Sequence, residues 1–91
     1  MPDPIRLRRL NFHDDHHDIV RLIVSSGDGG VVADVVWPAN ALTDGGDYLY
    51  PTYVPLALER AEDVRQNYGF SEVAVIIDDP ALWDPAWGQL V

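Results

Sequence analysis

Neither cysteine nor lysine occurs in this chain, and histidine is confined to one short stretch. Without cysteine there are no disulfides, no thiolate zinc sites and no cysteine nucleophile, and the redox compartment stays open. Long hydrophobic runs are missing too: nothing approaches the roughly 18 consecutive apolar residues that a spanning helix needs. The opening "MPDPIRLRRL" lacks the roughly 7–15-residue apolar stretch of a signal peptide, so a cytoplasmic protein is expected. With 91 residues, the chain is expected to form one domain, 1–91, and to bury roughly 60–65% of its unfolded surface.

What is present is negative charge. The formal net charge is −9, and arginine supplies every basic residue. Residues 1–12 hold Arg6, Arg8 and Arg9 against Asp3, a net of +2; residues 13–91 hold three arginines against fourteen acids, a net of −11. An acidic body of this kind disfavours direct binding of nucleic acid or an anionic membrane, because phosphate recognition needs a positive face. It suits a basic protein partner or the arginine strand of a second copy, although net charge by itself reports chiefly on solubility.

Two β-branched runs around a glycine-rich turn make 18–37, "DIVRLIVSSGDGGVVADVVW", a β-hairpin. A turn at Gly27-Asp28 sets Arg21 opposite Asp34 and Ile23 opposite Val32. One face, with Val20, Leu22, Val24, Val31, Ala33, Val35 and Trp37, is the expected core. The other carries Ile19, Arg21, Ile23, Val32, Asp34 and Val36; a half-apolar outer face is either covered by a second chain or tolerated. Residues 5–12 read as a strand whose alternation breaks at Arg8-Arg9, which suggests a bulge.

Residues 54–68, "VPLALERAEDVRQNY", read as the helix, with Val54, Ala57, Leu58, Ala61, Val64 and Tyr68 on one stripe. Pro55 fits only the first turn, Thr52 is positioned to cap it, and Gly69 to end it in the left-handed conformation with Phe70 folding back onto Val64. "SEVAVIID", 71–78, reads as a buried strand. The proline-broken tail, with Trp83 and Trp87, reads as a short helical turn that lays its indoles on the core. The expected fold is therefore α+β: a two-layer sandwich, β-β-β-α-β, with a mostly antiparallel four-stranded sheet in the order 3-2-1-4 and one helix on one face. In topology alone, that order resembles the opening of ribonuclease-H-like domains and some small antitoxin domains; no motif of either group accompanies it.

Three places are candidates for function. In "HDDHHD", 13–18, imidazoles and carboxylates are packed densely enough to bind a divalent transition metal, and His13, His16 and His17 with Asp78 or Asp79 form the candidate ligand set. The same hexapeptide reads equally as a pH-sensitive surface, since histidine titrates near ~6.5, or as a solvated turn, which is the commonest use of six polar residues between strands. Asp78 and Asp79 end a strand, a frequent position for catalytic carboxylates, but Asp-Asp-Pro is also ordinary turn chemistry. The loop 38–53 carries Tyr48, Tyr50 and Tyr53 behind a Gly45-Gly46 tip expected to be flexible, and these tyrosines are candidate interface contacts.

The glycine-rich "SSGDGG" joins two strands instead of a strand and a helix N-terminus, which excludes a phosphate loop. The leading reading is a small acidic, non-enzymatic interaction module. It would self-associate as a homodimer or dock on a basic protein partner through the tyrosine loop and the mixed hairpin face; a narrower version is an inhibitor or antitoxin-like mimic of phosphate charge. The alternative is a metal-binding or metal-dependent hydrolytic protein built on the histidine cluster.

Overall fold

"EVAVII", 72–77, is the most apolar strand of the chain, and it occupies the middle of the sheet. The structure, a computed structural model, describes residues 6–10, 18–27, 29–47 and 51–90. Its strands are β1 (Arg6–Leu10), β2 (Ile19–Gly27), β3 (Gly30–Trp37), β4 (Gly46–Asp47), β5 (Thr52–Tyr53), β6 (Glu72–Ile77) and β7 (Gln89–Leu90), and its helix is α1 (Val54–Tyr68). Short 3-10 turns at Pro80–Leu82 and Pro85–Trp87 follow β6. The sheet order is β4-β3-β2-β6-β1-β7, with β5 also paired to β3.

The α+β class, the helix and the main elements follow the sequence pattern, but the order does so only in part. β6 runs parallel beside β1 as the expected order has it, but it lies between β1 and β2 and is parallel to both, so the sheet is mixed where a mostly antiparallel one was expected. The topological likeness to ribonuclease-H-like domains lapses with that order. The physical reason lies in side-chain burial. Ala74 and Val75 are fully buried and Ile76 and Ile77 nearly so, on alternating sides; a strand apolar on both faces must have both faces covered. β1 carries exposed Arg8 and Arg9 and lies one place in from the end of the sheet, with β7 paired beside it at Arg6 and Leu7. Its register against β6 is unbroken from Arg8 to Leu10, so no bulge forms at the arginine pair.

The hairpin register is also displaced. Gly27 pairs with Gly30, which leaves residues 28 and 29 as the two-residue connection; Arg21 stands opposite Val36 and Asp34 opposite Ile23. Gly30, where β3 begins, takes a φ of 124°, a conformation that glycine adopts without steric cost. The shift is two residues, so both faces keep their membership. The Arg21–Asp34 ion pair that the expected register implied is replaced by two cross-strand neighbours of another kind.

α1 lies over β2 and β3. Val54, Ala57, Ala61 and Val64 are its buried residues, with Leu58 and Tyr68 half-buried beside them. Thr52 does not cap the helix: it is part of β5, opposite Ala33, and the N-cap position belongs to Tyr53, which makes no side-chain cap bond. The C-terminus ends as the sequence implies. Gly69 is left-handed (φ 70°), the Phe70 N–H donates to the Arg65 carbonyl at 3.0 Å, and Phe70 is buried in the same cluster as Val64. The larger core on the helix side joins Val20, Leu22, Val24, Ala33, Val35, Val75 and Ile77 to the helix, with Trp83 and Trp87 of the tail packed at its border. A second, smaller cluster of Leu10, Ile19, Ala74 and Ile76 occupies the opposite face. No described helix is long and apolar enough to cross a membrane.

Ala57 and Ala61 have no exposed surface, so the helix backbone approaches the sheet closely at those positions. Ala61→Leu is expected to destabilise the fold by about 1–3 kcal/mol through overpacking. Leu22→Ala, at a fully buried position, is expected to cost about 2–5 kcal/mol. Urea unfolding midpoints check both, and an Ala61→Leu variant as stable as the parent would show that the helix is not held against the sheet.

Candidate functional site

The face of the sheet away from α1 is built in rows that the strand registers define. One row runs Asp47, Val36, Arg21, Ala74, Arg8 from β4 to β1. The next runs Asp34, Ile23, Ile76, Leu10, and a third holds Tyr53, Val32 and Ser25. Ile19 and Glu72 are paired at the start of β2 and β6. The hairpin residues Ile19, Arg21, Ile23, Val32 and Asp34 therefore share one face, because side chains two apart point the same way.

Exposure divides this face. Ile19 is 5% exposed and belongs to the small apolar cluster, whereas Ile23, Val32, Asp34 and Val36 are half-buried. Tyr53 is 73% exposed, an unusual position for an aromatic ring, at a depression of about 340 Å³ lined by Gly29, Val32, Pro51, Thr52 and Tyr53. Tyr48 and Tyr50 lie outside the described residues.

Charge is divided as well. At the β1 side, the Arg8 guanidinium pairs with the Glu72 carboxylate. Arg21 is half-buried, and its loss of hydration pushes its pKa below the usual arginine range; a guanidinium starts so high that it stays charged. At the β3–β4 side stand Asp34 and Asp47, and among the described residues neither has an ion-pair partner. Arg8 is balanced by Glu72, and Asp34 and Asp47 have no such partner among the described residues.

The loop that carries Asp47 is anchored. Asn40 Nδ2 donates to the Tyr68 carbonyl at 2.8 Å, satisfying a helix C-terminal acceptor, while its Oδ1 accepts from the N–H groups of Leu42 (2.8 Å) and Thr43 (3.1 Å). Trp37 stacks on Tyr68 with ring centroids 6.4 Å apart. Gly45-Gly46 is no free tip. Gly45 has φ +89° with backbone atoms of Pro38 and Ala39 where a side chain would begin, and a Cβ on Gly46 would meet the Trp37 ring at 3.0 Å.

The remaining candidates that are described take structural places. His13, His16 and His17 lie outside the described residues. Asp18, the last residue of the hexapeptide, has φ 63°, and its carbonyl accepts from both the N–H (3.1 Å) and the Oγ (2.9 Å) of Ser71. Asp79 caps the first 3-10 turn, with Oδ1 accepting from the Ala81 N–H at 3.0 Å; Asp78 beside it is exposed. Asp84 repeats the device, accepting from the Ala86 N–H at 2.9 Å. The signal was legible: "DPAL" and "DPAW" each place Asp at the cap and Pro at the first helical position. Compared with models of known protein families, with curated proteins and with solved structures, the chain finds no significant match.

Two outcomes follow from these roles. Asp79→Ala should lower stability by about 0.5–1 kcal/mol while Asp78→Ala leaves it unchanged, read from thermal midpoints; equal loss from both would mean that the cap is not the reason. Asp18→Gly should be neutral within about 0.5 kcal/mol, whereas Asp18→Val should cost about 1–3 kcal/mol, because a β-branched residue is strained at positive φ.

Proposed function

We propose that the protein is a small acidic, non-enzymatic interaction module whose sheet face away from α1 docks on a basic protein partner. One observation carries this reading: Asp34 and Asp47, unbalanced by cations among the described residues, flank the half-buried aliphatics Val32, Val36 and Ile23 next to the exposed Tyr53 ring. Aliphatic ground with a rigid aromatic anchor supplies desolvation energy, and uncompensated carboxylates choose a partner of opposite sign. Tyr53 beside its shallow depression offers both a projecting contact and a recess for a partner side chain.

The net charge of −9 adds long-range steering toward such a partner. In the narrower form of the proposal, the carboxylates stand in for nucleic-acid phosphates within the basic groove of an enzyme, as an inhibitor or antitoxin would use them. A homodimer is the other occupant of the same face, with the arginine strand of one copy meeting the acidic half of the next.

A deca-arginine peptide serves as the probe. Backbone amide shifts on titration should concentrate at β3, β4 and β5, and affinity should fall by about tenfold or more between low and physiological salt. Asp34→Asn with Asp47→Asn should remove most of that salt dependence, and Tyr53→Ala should weaken binding without altering it. Affinity indifferent to ionic strength, or shifts spread evenly over the surface, would exclude the charge-directed face. A native mass of two chains would assign the face to a second copy.

A further inference from the structure

On the other layer of the molecule, α1 and the second 3-10 turn enclose a cleft of about 400 Å³ lined by Pro55, Leu58, Glu59, Glu62, Ala86 and Trp87. Leu58 and Glu62 also border a crevice of about 120 Å³ whose floor is Leu7 and Val73, so the two form one groove beside the core. The volume is at the small end of what ligand sites use. Its helix wall follows from spacing: positions 55, 58, 59 and 62 are three and four apart and share one side of α1.

The opposite wall is rigid. Trp87 is half-buried and meets Trp83 edge-on, with centroids 5.2 Å apart, and Trp83 Nε1 donates to the Gly88 carbonyl at 2.9 Å. The Asp84 cap holds the turn from which Trp87 projects.

The ionic groups lining this groove are both carboxylates, and they differ. Glu62 is engaged: it accepts from Arg65 Nε at 2.9 Å and from Gln66 Nε2 at 3.0 Å, and the guanidinium lowers its pKa. Glu59 is exposed and has no ion pair among the described residues. The groove thus offers an apolar trough, an indole wall and one uncompensated negative charge at its mouth.

We infer that this groove binds a linear aliphatic amine in its ammonium form, with the chain along Leu58, Leu7 and Val73 and the cation between the Glu59 carboxylate and the Trp87 ring. Charge complementarity selects the head group, since an anion would face two carboxylates and a neutral alcohol would leave Glu59 unbalanced. Indole is the best of the aromatic partners for a cation, and the apolar trough takes the hydrocarbon chain out of water. The groove is on the face opposite to Asp34 and Tyr53, so the inference stands apart from the docking proposal.

Hexylammonium is the probe, with hexanoate and hexanol as controls of equal chain length, read by amide and indole N–H shifts in two-dimensional NMR. Saturable shifts at Leu58, Glu59 and Trp87 are expected for the amine, with hexanoate at least about tenfold weaker. Glu59→Gln, an exposed substitution that leaves the core untouched, should weaken the amine by about fivefold and leave hexanol unchanged. Acetyl-lysine-methylamide with its free ε-ammonium tests the other source of the same chemistry; tighter binding of this lysine mimic than of hexylammonium would reassign the groove to a protein side chain and overturn the free-amine inference. Equal binding of all three hexyl compounds, no saturable shift, or an amine affinity unmoved by Glu59→Gln would overturn it as well.

Discussion

The double-sided burial of β6 is the constraint on which the rest depends. Residues 74–77 are buried in turn against the helix layer and against the smaller cluster of Leu10 and Ile19. Each fully buried Val or Ile contributes about 1.5–3 kcal/mol, so a register that left either side wet would forfeit a large part of the stability available to a chain this size. Placing β6 centrally separates β1 from β2 and sets β1 between β6 and the short β7. The two arginines of β1 then bind it to its neighbour: Arg8 pairs with Glu72, and Arg9 Nη2 donates to the Ile77 carbonyl at 2.9 Å, tying β1 across to the end of β6.

Small residues set the remaining distances. Ala57 and Ala61 bring α1 down onto β2 and β3, Ala74 lets the opposite face close, and Gly46 admits the Trp37 ring. Because Trp37 is held, the loop behind it is held, and Asn40 links that loop to the end of the helix. The long 38–53 connection is therefore partly a structural strap, and its contribution to the face away from α1 at Asp47 and Tyr53 is presented from paired strands β4 and β5 instead of from free chain. Positions presented in this way lose little conformational freedom on binding, which favours recognition by a fixed surface.

The two layers carry different surfaces as a result. On the sheet side, acids stand among aliphatics over a broad and shallow area; on the helix side, a narrow groove runs beside the core with a tryptophan wall. The excess of negative charge is common to both, since arginine is concentrated where it ties β1 to β6 or holds a helical turn, as with Arg65 on Glu62.

Local sequence determined a good deal. The helix from Val54 to Tyr68 with its Gly69 stop, the hairpin and its two faces, the central apolar strand and the caps of the tail all rest on periodicity, turn chemistry and capping, which act over a few residues. Neighbour identity was another matter: that β6 enters between β2 and β1, that Arg21 faces Val36, and that Thr52 joins a strand instead of capping a helix depend on which distant surfaces bury one another. The acidic half of the face away from α1 was visible only as Asp34 on a mixed strand, because Asp47 joins it through pairing of β4 with β3. The groove was invisible, since Leu58, Glu59 and Trp87 are far apart in the chain or spread over polar and apolar stripes. Short-range preferences are written residue by residue; burial is a collective property, and only the closed three-dimensional packing decides it.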